Sequence, residues 1–296
     1  MANLKERKKW EHVLEEQEKE STLSLRCTKQ GDLEEQEADF ENEVHLLAKE
    51  IFSKLKEKKT YKIQGDAGLK ISGKGMLVLD IVQSCTVKIE YEDQSFVALN
   101  IKIKKGEAVQ IYEKSNSQIF VSSSIDIEEN AKCLHLRIYE KMNISLNTTQ
   151  LAQSSAYEQQ TAYLAQDANS FIDSMITHKG KASKSFLESS CIVEGKSIVT
   201  NDATIHIREE AKGASGHQKL KNLLLNTGAQ VHSEPVLEVD NNEVSCSHGA
   251  TTSNIEEDLL YYMHSRGLSR SQVIEILKEA LHAKVLARLE RVTLEA

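Results

Sequence analysis

The chemistry this chain can offer is concentrated in one string, Asn241–Arg266, NNEVSCSHGATTSNIEEDLLYYMHSR, where Cys246 and His248 stand one residue apart. Asp240-Asn241-Asn242 is a turn cluster, and Val244, Cys246 and His248 then fall on one side of a short strand. A thiol and an imidazole so placed can share a soft metal or take part in sulfur chemistry. Spacing alone leaves a plainer reading open, a buried cysteine beside a half-exposed histidine, and that arrangement is the commoner one. A zinc site takes three or four ligands, and no second CxxC or HxxxH pair accompanies these two.

The string joins two regions of different period. After Gly249 the pattern is helical: Ser253 and Glu256 form a capping box, followed by Ile255, Leu259, Leu260 and Met263, and Gly267 ends the helix. Ser269 with Gln272 is a second capping box, with Leu268 and Val273 as a hydrophobic staple. Val273, Ile276, Leu277, Ala280, Leu281 and Val285 make one apolar stripe. The spacing predicts a helix–turn–helix end whose exposed face can dock another protein or pack on its own body.

Before the string, from Tyr61 to about Met142, the period is two. Val87, Ile89 and Tyr91 alternate with Lys88 and Glu90, and Val97, Leu99, Ile101 and Ile103 with Ala98, Asn100, Lys102 and Lys104. Leu134, Leu136 and Ile138 alternate with His135 and Arg137. These read as half-buried strands. Asn147–Ser174, rich in Gln, Ala and Ser, reads as strand with small inward residues. A recurring turn, polar residue or Gly then Ala, falls at Gly106-Glu107-Ala108, Asn130-Ala131, Asn201-Asp202-Ala203 and Thr227-Gly228-Ala229. The intervals are irregular but tens of residues long. Few two-residue hairpin signals occur, which favours a β-solenoid over a sandwich. In stacked coils His232, with Glu234 near it, falls close to His248; His206 and His217 read as surface histidines, and Cys85, Cys133 and Cys191 as buried structural thiols.

Residues 1–59 are dense in Glu and Lys. Trp10, Val13 and Leu14 mark a weak apolar face, and Phe40, Val44, Leu47, Ala48, Ile51 and Leu55 a better one at helical spacing. Thr22–Ala38 between them reads as a poorly structured link. The organisation expected is a helical region at 1–59, a β core at 60–250 and a helical region at 251–296.

CSHGATTSNIEEDLLYYMHSRGLSRSQVIEILKEAL, with KNLLLNTGAQVHSEPVLEV upstream of it, resembles the C-terminal region of the SufB/SufD family of iron–sulfur cluster assembly proteins. The CSHGAT string is closer to SufD than to SufB. The resemblance implies a mainly β fold, a right-handed parallel β-helix with a short N-terminal helical region and a C-terminal helical pair. It implies a scaffold without catalysis of its own. Such a scaffold binds a SufC-type ABC ATPase through its terminal helices. It pairs with a SufB-like paralogue or a second copy of itself, and shares a transient iron–sulfur cluster at that interface. His248 and Cys246 are the expected cluster and metal ligands. Where SufB-type members carry a scaffold cysteine, this chain reads His217-Gln218-Lys219-Leu220-Lys221, which favours the SufD-like role. A self-sufficient homodimer working with the ATPase alone is the alternative.

Composition narrows the rest. The net charge of −8 gives no electrostatic support to a nucleic-acid role. No apolar run reaches membrane-spanning length. Five scattered cysteines argue against a disulfide framework and for a reducing compartment. The charged N-terminus lacks a signal-peptide pattern, so a cytoplasmic location is expected. Gly73-Lys74-Gly75 lacks the phosphate-loop pattern, and no Ser–His–Asp constellation is supported. A β-helix carbohydrate-active protein would carry clustered aromatics, and aromatics are only 5% here.

Overall fold

A computed structural model describes residues 24–29, 33–35, 58–92, 95–141 and 144–294. The two helices expected within residues 1–59 lie outside the described residues. Two sheets face each other across one core. The first runs through β2 (Leu33–Glu35), β3 (Lys58–Ile63), β5 (Lys74–Ile81), β7 (Phe96–Ile103), β9 (Phe120–Ile127), β11 (Ile144–Leu151), β13 (Ser170–His178) and β15 (Ile198–Ile207). It ends on β17 (Gln230–His232) and β18 (Pro235–Val239), both paired to β15. The second runs through β1 (Ser24–Lys29), β4 (Ala67–Ser72), β6 (Cys85–Tyr91), β8 (Ala108–Ser115), β10 (Lys132–Glu140), β12 (Ala156–Gln166), β14 (Lys184–Glu194), β16 (Ser215–Leu224) and β19 (Ser245–Asn254). The chain crosses from one sheet to the other at each turn, and from β3 onward every described pairing between coils is parallel. This is the expected parallel β-helix.

Its repeat is more regular than the sequence reading allowed. Partners in successive coils lie 18 to 22 residues apart at the start and 24 apart in the middle coils, as Ser123 and Asn147 do, and later coils lengthen to 29 and 32 residues. One column of turns takes a left-handed backbone at Gly106, Asn130, Ser154, Ala182 and Gly213, with φ between 55° and 80°, and Lys141, Asp167 and Gly195 take it in a second column. The turns stack through their amides. Gly106 N–H donates to Glu129 O at 3.0 Å, Asn130 N–H to Gln153 O at 3.0 Å, and Ala182 N–H to Lys212 O at 2.9 Å. Asn201-Asp202-Ala203, expected as such a turn, lies inside β15 instead. Asn201 points inward there, with Ser189 Oγ donating to its Oδ1 at 2.8 Å and its Nδ2 donating to Asn222 Oδ1 at 2.9 Å. The stretch Thr22–Ala38 also differs from expectation, since it holds β1 and β2, which pair antiparallel with β4 and β3.

Two helices follow the last coil, α1 (Glu257–Ser265) and α2 (Arg270–Leu294). The capping box at Ser253 and Glu256 does not form: β19 runs on to Asn254, and Ile255 N–H donates to Leu224 O at 3.0 Å, so sheet pairing takes the backbone a cap would have used. The second box does form. Gln272 N–H donates to Ser269 Oγ at 3.3 Å, and Ser269 N–H to Gln272 Oε1 at 2.8 Å. α2 lies on the outer face of the second sheet, its Val273, Ile274 and Val285 buried. Relative to the expected stripe the helix is rotated, with Ile274 inside and Ile276 39% exposed. Arg288 grips Glu158 with two bonds of 2.7 and 2.6 Å, Lys278 lies 3.2 Å from Glu194, and Lys284 pairs with Glu188.

The turn column makes a stability test. Gly213→Ala adds a methyl into open space, so only the left-handed backbone is penalised, by about 1 kcal/mol. Ala182→Gly relieves the same penalty and stabilises by a smaller amount, because glycine gains freedom in the unfolded chain. Denaturant midpoints of the two variants should move in opposite directions.

Candidate functional site

β19 is the terminal strand of the second sheet. One edge pairs with β16, from Ser215 opposite Ser245 to Leu224 opposite Asn254; among the described residues the other edge has no partner strand. Register fixes where its side chains point. Cys246 continues the column Cys133, Tyr157, Ser185, Gly216. His248 continues the column His135, Gln159, Leu187, Gln218. Both columns are buried inside the solenoid, so Cys246 and His248 stand at its open mouth, about 7 Å apart along the strand. Cys246 is half-buried against the core and His248 is exposed. Burial pushes the Cys246 thiol up, opposed by a bond from the Gly216 backbone. Across the mouth the first sheet presents Val231, Leu237 and Val239.

The other histidines are elsewhere. His217 points out of the same sheet on the opposite side from His248, its ring nitrogens 2.7 Å from Ser247 Oγ and 3.1 Å from Ser215 Oγ. His206 sits 2.9 Å from Asp240. His232 does not join His248: it is on β17 of the other sheet, near Asp202. Glu234 is there too, its N–H donating to Asp202 Oδ1 at 2.8 Å. Burial lifts the Asp202 carboxyl to about 6, with Asp173 and the Glu234 charge adding to the rise and the Glu234 amide and His232 opposing it. Among the described residues no group of three or more His, Cys, Asp or Glu is arranged to hold a metal ion. Among the described residues the open edge thus carries two potential donors, one soft and one borderline, fewer than the three or four of a closed metal site.

Comparison with known proteins places this mouth in a family. The family described as "SUF system FeS cluster assembly, SufBD core domain" matches residues 79–281, from the end of β5 into the first half of α2. The chain belongs to the SufBD family. It is 30% identical to the iron–sulfur cluster assembly protein SufD of Escherichia coli over 98 residues, 33% of this chain and 23% of that protein. An iron–sulfur cluster assembly SufBD family protein of Synechocystis is 29% identical over 105 residues, 36% of this chain and 23% of the relative. One from Archaeoglobus fulgidus is 29% identical over 148 residues, 45% of this chain and 38% of the relative. The chain thus spans about a quarter of the length of the first of these relatives. No helix among the described residues is long and apolar enough to cross a membrane.

The interior of this SufBD solenoid holds a charged network that the sequence reading missed. Leu134, Leu136 and Ile138 were expected inside and His135 and Arg137 outside; the parity is reversed. α2 covers the leucine side, so both faces of β10 are buried and alternation loses its meaning. Inside, the Glu113 carboxylate accepts from Tyr91 at 2.9 Å, from Tyr139, and from His135 Nε2 at 2.5 Å. Arg137 donates through Nη2 to Ser123 Oγ at 2.8 Å and Asn147 Oδ1 at 2.9 Å, with its Nε 3.7 Å from Glu113. Burial alone would raise the Glu113 carboxyl, but the Arg137 charge and the bonds from His135 and Tyr139 bring it down to about 2. Burial and the Arg137 charge lower His135 to about 4 against the pull of Glu113, so it is neutral at pH 7. The bonding continues from Asn147 through Gln159 to Ser174. Nearer the mouth Asn222 Nδ2 donates to Thr252 Oγ1 at 3.2 Å.

Two measurements follow from the network. Glu113→Gln leaves the Arg137 charge buried without its counter-charge, and should cost about 3–5 kcal/mol in chemical unfolding. The histidines set an acid limb. His135 and His178 are both held near 4, below the ordinary 6.5, chiefly by burial. The unfolded chain therefore binds protons that the folded chain refuses. Their contribution is complete above about pH 6.5 and is lost as pH falls toward 4, by up to about 1.4 kcal/mol per pH unit for each histidine. Glu113 acts lower: its contribution is complete above 4.5 and is lost as pH falls toward 2. His135→Gln should flatten the upper limb between pH 6.5 and 4.

Proposed function

We propose that this chain is a SufD-like scaffold subunit of an iron–sulfur cluster assembly complex. Its open end meets a second protomer, a SufB-like paralogue in the leading reading, and His248 helps hold or shape a nascent cluster at that seam. The cluster is cargo, built and released. The chain contributes a platform and no turnover of its own, and a cytoplasmic setting suits its free thiols. The observation that carries this reading is the mouth itself: a ten-residue, largely exposed terminal strand that brings Cys246 and His248 out of the interior columns to an edge that no other described strand pairs. A mixed imidazole and thiolate site is labile enough for a scaffold that must release its product.

A SufC-type ABC ATPase is the second partner in this proposal. The apolar stripe of α2 is spent on the protein's own sheet, so the free docking surface is α1, which buries none of its residues. Tyr261 is 79% exposed and Tyr262 55%, the latter with the Arg266 guanidinium 5.3 Å over its ring. Aromatic and arginine side chains so presented are what protein interfaces use as anchors. Nucleotide-driven movement of the ATPase would then act on α1, two residues beyond β19, and through it on the seam. A second copy of this chain as the partner is also supported by β19, whose SCSHGATTSN edge carries no formal charge to repel itself.

Cluster formation on the assembled complex tests the site. His248→Ala should lower it by about tenfold or more while His217→Ala, on the opposite side of the same sheet, leaves it unchanged; equal effects would remove His248 from the site. For the ATPase, the pair Tyr261→Ala and Tyr262→Ala should weaken pull-down by about thirtyfold without loss of fold, since neither side chain is buried. Undiminished capture would move the docking surface elsewhere.

A further inference from the structure

The outward side of the first sheet is dry where α1 and α2 do not reach. Along β5, β7, β9 and β11 the residues pointing away from the interior include Val78, Phe96, Ala98, Phe120, Ile144 and Leu146, none more than 7% exposed. Asn100, Ser124 and Thr148 between them are equally buried. Phe96 and Phe120 stack with ring centroids 4.4 Å apart. α2 packs on β10 and β12 of the other sheet and cannot account for this. The dry zone has an end. In β13 and β15 the same columns continue as Phe171, Met175, Thr200 and Thr204, all only half-buried.

The extent of that zone identifies its occupant. From β3 to β11 is four strand spacings, about 19 Å. Residues 40–55, outside the described residues, span about 24 Å if helical and carry Phe40, Val44, Leu47, Ala48, Ile51 and Leu55 on one side. Leu55 lies three residues before Lys58, where β3 opens the N-terminal end of the same sheet. A helix leaving that edge and laid across the strands runs out at β11 or β13, where the burial fades. We propose that residues 40–55 form an amphipathic helix docked on the outward side of β5–β11, with Phe96 and Phe120 at the centre of the contact. Both outer faces of the middle coils then belong to this chain, one under α2 and one under this segment. Partners are left with the last coils and α1.

Limited trypsin digestion of the full chain, read by mass spectrometry, tests this at Lys49 and Lys54 within the segment. Both should be cut slowly in the native protein. In Phe120→Glu they should be cut at least about tenfold faster, while sites in the later coils keep their native rates. Should Phe120→Glu fail to fold, Ile51→Glu leaves the solenoid sequence untouched and should give the same release. Rapid cutting in the native chain overturns the proposal, as does slow cutting that survives Ile51→Glu. Protection that disappears on dilution would assign the cover to a second copy and overturn it equally.

Discussion

Each strand of this solenoid pairs its backbone with the coil before it and the coil after it, so both ends of the stack must be dealt with. The two ends are treated differently. At the first end β1 and β2 turn antiparallel to β4 and β3 and become the terminal strands of the two sheets. At the other end β19, without proline and without formal charge, has no partner strand on its outer edge among the described residues, and β18 ends the first sheet beside it. Natural proteins rarely leave such an edge bare unless something pairs with it. The stack therefore has a direction, with antiparallel strands at one end and a parallel, uncharged strand at the other.

The interior serves the same end by another route. A run of apolar layers in a solenoid slides easily, because one coil resembles the next. The layer of Glu113, His135, Arg137 and Tyr139 does not permit a slip: moving one strand by a residue would leave a carboxylate and a guanidinium buried without partners, at several kcal/mol. Register fixed in the middle coils is inherited by the later ones through continuous pairing, and so sets which side chains of β19 face the mouth. Cys246 and His248 point inward because His135 does.

Much of this was legible in the residues, and the failures have physical causes. Alternation in Val97–Ile103 and Val87–Tyr91 gave the strands and their inward faces, since each buries one apolar side in the core and leaves lysines outside. It gave the wrong inward face at Leu134–Ile138, because a helix some 140 residues further along covers the outside of that strand, and no local pattern announces a distant cover. The coil length escaped because its marker is a backbone angle: Gly106, Asn130, Ser154 and Ala182 occupy equivalent left-handed turns but share no side-chain chemistry. Ser253 reads as a helix cap in isolation, and strand pairing with Leu223 overrides it. Cys246 and His248 stand out in the sequence by their own chemistry, whereas the separation of His232 from His248 needed the assignment of each to its sheet.

The most direct test is amide hydrogen exchange along β19, measured on the chain alone and in a mixture with the SufB-like paralogue proposed as its partner. The account predicts that backbone N–H groups of Ser245–Asn254 on the open edge exchange freely in the chain alone. They should become protected on assembly, with the N-terminal coils unchanged. Assembly that leaves β19 exchanging at its free rate would contradict the claim that this edge is where the protein meets its partner.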